Sequence, residues 1–208
     1  MKKIIKVLGL LTIAAALFVG CKNDETSDPF ADCSETITAD DIELSAGAWT
    51  VKGVMTLSFS KSSEIYEFKA TVADDGTYTF TSGTATMIMD LAEYMDADEL
   101  SQFNNLPADQ KKQLAEQYAT FMAGSLPEGS SVSLNGTLLT VSVPLDDASI
   151  QNAQSTFAFD QLPNDATIKA NSAKTAYVIT FTEATTYYDQ SGNPQPATET
   201  FTYYINKD

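Results

Sequence analysis

Nucleophiles are the simplest chemistry a sequence can display, so the thiols and hydroxyls are read first. The chain carries two cysteines, Cys21 and Cys33. Cys33 stands in a polar, acidic stretch. If Cys21 is used elsewhere, Cys33 is an odd thiol that can pair between chains or stay free, and its setting favours an incidental residue. Ser58-Phe59-Ser60-Lys61 contains the Ser-x-x-Lys spacing in which a lysine activates a serine, but there the serine opens a helix, and companion Ser-Asp-Asn and Lys-Thr-Gly elements are needed. Here those elements are absent and Ser58 falls on the outer face of an alternating strand. The spacing is read as chance, no catalytic residue is assigned, and an enzyme is not expected.

The chain has no histidine and no arginine, which removes the side chain best suited to acid–base work near neutral pH and the planar fork that grips phosphate and carboxylate. Zinc, copper and iron sites lose their usual ligands. Calcium is the one metal to weigh, at Asp74-Asp75, Asp96-Ala97-Asp98-Glu99, Asp146-Asp147 and Asp189-Gln190-Ser191-Gly192-Asn193. None of these matches a defined calcium loop, and each reads more readily as a turn or a helix cap. No metal and no cofactor is expected. Paired carboxylates of the glycosidase kind are brought together by folding rather than by spacing, and nothing in the sequence selects a pair. The net charge of −16 argues against nucleic acid, whose binding rests on neutralising phosphates with Lys and Arg.

The first residues carry an address. Lys2, Lys3 and Lys6 precede an uncharged run from Val7 to Val19 and then Gly20-Cys21, the order of a secretory signal. The apolar run is shorter than the roughly 20 residues that span a bilayer. Phe18-Val19-Gly20-Cys21 resembles the lipobox of bacterial lipoproteins. That resemblance implies cleavage after Gly20, diacylglyceryl transfer to the Cys21 thiol, fatty chains such as palmitate, and residence in the cell envelope on the outer membrane, in its periplasmic or surface leaflet. Two or three acyl chains hold a protein stably where one does not, each buried methylene adding about 0.8 kcal/mol. Loss of residues 1–20 would remove three lysines and no acids, taking the charge from −16 to about −19.

Residues 21–44 are expected to form the lipidated cysteine and a flexible acidic tether, because their polar composition buries too little surface to order itself. Residues 45–208 are expected to form one β-rich domain. Trp49, Val51, Met55, Leu57 and Phe59 share one face of an alternating strand, as do Tyr66, Phe68, Ala70 and Val72 on the next. Asp74-Asp75-Gly76 and Asn135-Gly136 are hairpin signals, leading to Tyr78 and Phe80, and to Leu139, Val141 and Val143. In the final hairpin Tyr177, Ile179 and Phe181 alternate on one strand and Phe201, Tyr203 and Ile205 on the other. Over about 90–125 the period becomes helical. One short helix is capped by Asp96 and Glu99 and carries Leu100 and Phe103; a second, after Pro107, bears an apolar stripe of Leu114, Tyr118, Phe121 and Met122 and is closed by Gly124. A short helix near 146–153 and a strand at Thr156–Phe159 complete the reading.

About eight antiparallel strands with a two-helix insertion leave a barrel or a sandwich as the architecture. Gly47-Ala48-Trp49 resembles the Gly-x-Trp signature at the start of lipocalins, which implies a calycin-like cup with Trp49 closing one end; a tryptophan on an alternating strand is also an ordinary core residue. The function expected is therefore that of a non-enzymatic envelope lipoprotein holding a small apolar ligand. The alternative is a surface interaction, adhesion or structural module binding another envelope protein. For the latter, Tyr187, Tyr188, Tyr203 and Tyr204 are the candidate contact residues.

Overall fold

The computed structural model describes residues 28–208, apart from 59, 124–125, 158 and 189–192. The signal sequence, the Gly20-Cys21 junction and the start of the tether lie outside the described residues, as do Phe59 and Gly124.

The long alternating segments pair where their periodicity requires, and the protein is mainly antiparallel β. Among the described residues the strands are β1 (Glu35–Ile37), β2 (Gly47–Leu57), β3 (Ser63–Val72), β4 (Tyr78–Asp90), β5 (Ser131–Asn135), β6 (Leu138–Pro144), β7 (Thr167–Ala170), β8 (Ala176–Tyr188) and β9 (Pro194–Lys207). They form one sheet in the order β1-β7-β8-β9-β2-β3-β4-β6-β5. The final hairpin forms, and its register sets Tyr177 opposite Ile205, Ile179 opposite Tyr203 and Phe181 opposite Phe201. Gly76 (φ +82°) and Gly136 (φ +62°) turn the β3–β4 and β5–β6 hairpins in the left-handed region that glycine enters without steric cost.

The two-helix insertion lies between β4 and β5, as α1 (Ala97–Asn105) and α2 (Ala108–Ala123), and α3 (Asp147–Thr156) joins β6 to β7. The Asp96 carboxylate accepts from the backbone N–H of Asp98 and Glu99 at 2.9 and 2.8 Å, and Glu99 accepts from Asp96 N–H at 3.0 Å. This is the reciprocal cap that the sequence announces.

The barrel-or-sandwich expectation is met by a barrel- or sandwich-like sheet that is not closed: β1 and β5 each pair on one side only among the described residues, and helices cover the apolar face. Three expectations are corrected. The second half of the presumed tether is folded. Strand β1 pairs with β7 through Ile37 and Ile168, Ile42 and Leu44 pack on the core, Phe30 meets Tyr204 edge-to-face at 5.2 Å, and Cys33 Sγ lies 3.4 Å from the carbonyl of Ala176. The scattered apolar residues of a polar segment suffice because a sheet edge and an unfilled core margin receive them. Thr156–Phe159 is not a strand. Asp146 caps α3 by accepting from Ser149 N–H at 2.8 Å, and the helical bonding runs on to Phe157 N–H, which donates to Ala153. Finally, α2 is rotated from the expected stripe. It packs through Ala115 and Ala119 with Leu114 alongside, while Tyr118 and Phe121 face solvent, Phe121 at 75% exposure. Small side chains let the helix approach the sheet closely, and the large aromatics, only a turn away, are left outside.

The core lies on one face of the sheet, in two parts. Helices α1 and α2 cover the end formed by β4, β5 and β6, with Phe103, Ala115 and Ala119 against Met89, Leu139 and Val141. At the other end, Trp49, Val51, Phe68, Phe80, Ile168, Tyr177, Ile179 and Ile205 pack with Ile150, Ala153, Phe157 and Phe159 of α3 and the 3-10 turn after it.

Candidate functional site

Period-two alternation puts rows of side chains across the sheet, one residue from each strand. One row runs Ala85, Tyr66, Gly53, Tyr203, Ile179 through β4, β3, β2, β9 and β8. The next runs Met87, Glu64, Met55, Phe201, Phe181, and beyond it Leu57 lies opposite Glu199, which lies opposite Glu183. The first row alternates small and large residues. Gly53 lies between Tyr66 and Tyr203, and Ala85 between Tyr66 and Val143; the Tyr203 ring crowds Gly53, where an added Cβ would lie 3.0 Å from Tyr203 Cε1.

A cleft of about 660 Å³ lies between these rows and α3 with its following turn. Its floor includes Val51, Gly53, Met55 and Phe68, and its roof Leu145, Ala153, Phe157 and Leu162. The aromatic wall is continuous. Phe181 stacks on Phe201 at 4.9 Å and lies 6.1 Å from Tyr203, which meets Phe157 edge-on at 5.3 Å. Its polar groups are Ser149, Asn152 and Gln161 from the α3 side and Glu183 with the Tyr66 and Tyr203 hydroxyls from the sheet. Burial pushes the Tyr203 hydroxyl above its ordinary pKa, and the Glu183 carboxylate pushes it further the same way. Tyr66 is pushed up to about 12 by burial and by Glu64, to which its hydroxyl donates at 3.2 Å. Both tyrosines are neutral donors at physiological pH.

Trp49 is not in this cleft. It is fully buried at the opening of β2, its indole N–H donates to the Ser45 carbonyl at 2.8 Å, and it stacks on Tyr177 at 6.3 Å. The Tyr177 hydroxyl donates to the Glu43 carbonyl at 2.8 Å. Gly47-Ala48-Trp49 thus closes the core beneath the folded N-terminal segment, the role of an ordinary core tryptophan.

The other sequence candidates are placed apart. Ser58 Oγ accepts from Thr198 N–H at 3.1 Å, whereas Lys61 Nζ bonds the buried Asp90 carboxylate at 3.2 Å, so serine and lysine do not meet. Burial pushes the Asp90 carboxyl up, but bonds from Thr137, Ala92 and Lys61 outweigh it, and the net shift is downward. Asp75 caps the turn at Thr77 N–H, Asp96 and Asp146 cap α1 and α3, and among the described residues no group of three potential metal ligands comes together. Asp189, Gln190, Ser191 and Gly192 lie outside the described residues. Tyr187 and Tyr204 are half-buried and Tyr203 lines the cleft; the Tyr188 side chain lies outside the description. Among the described residues the large aromatics most open to solvent are Tyr94, Tyr118 and Phe121. Burial pushes the Cys33 thiol up, away from the reactive thiolate.

Sequence reasoning missed Gly53, Ala85 and Glu183. The available signal was Gly53, a glycine on the inward face of an otherwise strong strand, which marks a close approach or a gap. Comparisons with protein-family models, with curated proteins and with solved structures return no match for this chain.

Proposed function

We propose that this protein is a lipid-anchored envelope binding protein that carries a small, largely apolar ligand in the cleft between its sheet and α3. The observation that carries the reading is the cleft itself. At about 660 Å³ it falls within the 300–1,000 Å³ typical of small-molecule sites, and its lining mixes an aromatic and aliphatic wall with polar groups. In this reading Ser149, Asn152 and Gln161 orient the ligand against that wall. The lipobox resemblance at Phe18-Val19-Gly20-Cys21 supplies the membrane anchor.

The cleft is tested with the neutral environment-sensitive dye N-phenyl-1-naphthylamine on the unlipidated mature chain from residue 22, which retains every described strand and helix. Saturable fluorescence enhancement at one site per chain is expected. Absence of enhancement, with the fold intact by circular dichroism, would overturn the reading. The anchor is tested separately: Cys21→Ser should abolish incorporation of labelled palmitate and leave unprocessed precursor, and unchanged labelling would sink it.

A second reading, a surface module for another envelope component, is favoured by Tyr118 and Phe121, exposed three residues apart on α2. Partner binding lost in Phe121→Ser but kept when the cleft is filled would select it.

A further inference from the structure

We propose that the cleft selects organic cations: ligands with an apolar or aromatic body and an alkylammonium head, the head meeting the Glu183 carboxylate and the body lying against Phe157, Phe181, Phe201 and Tyr203. The inference deepens the ligand-binding reading above and rests on it.

Two observations on the same face carry it. First, the lining contains six aromatic rings, those of Tyr66, Phe68, Phe157, Phe181, Phe201 and Tyr203. Aromatic faces are electron-rich, and a cation within about 6 Å of a ring centroid is attracted to them, more strongly where water is excluded. Second, among the described residues the cleft has one sign of charge: Glu183, exposed at its edge, is the one charged side chain of the lining. Glu183 stands two residues beyond Phe181 on β8, so both side chains leave the strand on the same face, and the carboxylate sits where the aromatic wall ends.

Alternatives in the same space are less well served. A carboxylate or sulfate head would stand beside Glu183 with no cationic side chain among the described lining residues to receive it, and in the field of a chain with net charge −16. A wholly neutral ligand would gain from the apolar floor but draw nothing from Glu183. The same net charge raises the local concentration of cations around the protein as a whole, so the test must separate the cleft from the general field.

The experiment is competition against bound N-phenyl-1-naphthylamine on the mature chain, at low salt and below micellar concentrations, with three eight-carbon chains: octyltrimethylammonium, octanol and octanoate. Octyltrimethylammonium should displace the dye at concentrations about 10-fold lower than octanoate, with octanol between them. In Glu183→Gln the spread should narrow to about twofold. Asp74→Asn, at the exposed β3–β4 turn, removes the same charge away from the cleft and should preserve the spread, which excludes the general field. Equal displacement by all three chains, or a spread kept in Glu183→Gln, would overturn the cation proposal while leaving the ligand-binding reading standing. Failure of the dye to bind at all would overturn both.

Discussion

The sharpest perturbation is Gly53→Val, because two physical effects act on it in opposite directions. A glycine in a strand interior costs about 0.5–1 kcal/mol relative to alanine, and valine is a still better strand residue, so propensity alone forecasts a gain. The structure forecasts otherwise. A Cβ at 53 would sit 3.0 and 3.2 Å from Tyr203 Cε1 and Cδ1, against the 3.5–4.0 Å of an ordinary carbon contact. The ring must therefore move by about 0.5–1 Å. It is held by Phe157 at 5.3 Å and Phe181 at 6.1 Å, so its free direction is into the cleft. Overpacking of this kind costs about 1–3 kcal/mol. The net is a loss of about 0–2 kcal/mol, or a fall of roughly 0–8 °C in Tm for a domain of this size. Dye binding should drop at least about 10-fold, since valine and the displaced ring both occupy ligand space. Differential scanning calorimetry and fluorescence titration read the two quantities. If the clash is the cause, adding Tyr203→Ala should restore dye binding to the valine variant and reveal a coupling of about 0.5–3 kcal/mol. Gly53→Val with wild-type binding would refute the placement of the cleft, and a clear rise in Tm would refute the crowding.

Other outcomes follow from the same packing. Deleting residues 28–44 should cost about 3 kcal/mol in a urea titration, from half-buried Ile37, Ile42 and Leu44 at about 1 kcal/mol each; a flexible tether would cost nothing. In α2, Ala119→Leu should destabilise by about 1–3 kcal/mol, because Ala119 is fully buried, whereas Phe121→Ser should change stability by less than about 0.5 kcal/mol; the reverse ranking would restore the expected stripe. Asp90 has its carboxyl pKa lowered in the fold, so the stability it supplies is present above the unfolded carboxylate value near 4 and lost as pH falls through the lower folded value. Melting temperatures between pH 5 and pH 2 should therefore fall less steeply in Asp90→Asn than in the parent, and parallel curves would show that Asp90 contributes no linkage.

Long periodic segments made most of the sheet legible. In β2, β3, β8 and β9, alternation over ten or more residues identifies the inward face, and a slip of one residue would turn that whole face to water. Asp96 with Glu99 announced a helix start because the cap is local chemistry. Strand β7, four residues long, has no period to read, and β1 exists because β7 offers an edge to it. The α2 stripe misled for a related reason. Hydrophobicity picks out Tyr118 and Phe121, but a helix that must approach a sheet closely does so on its smallest residues. Of the cleft, the aromatic wall was legible as a set of inward residues, without any means of telling a wall from a filled core. The difference is made by Gly53 and Ala85, residues absent from the hydrophobic pattern.

That difference bears on why the space exists. A sheet nine strands wide has more apolar face than three short helices can cover. Helices α1 and α2 are committed to β4, β5 and β6, and α3 with its aromatic turn reaches the middle of the sheet from one side. At Gly53 the Tyr203 ring claims the room a side chain would need, so valine there would lose more by crowding than it gains in strand propensity. Close approach of that ring sets the glycine, Ala85 keeps the next position in the row small, and the space left beneath α3 is what the ligand-binding proposal rests on.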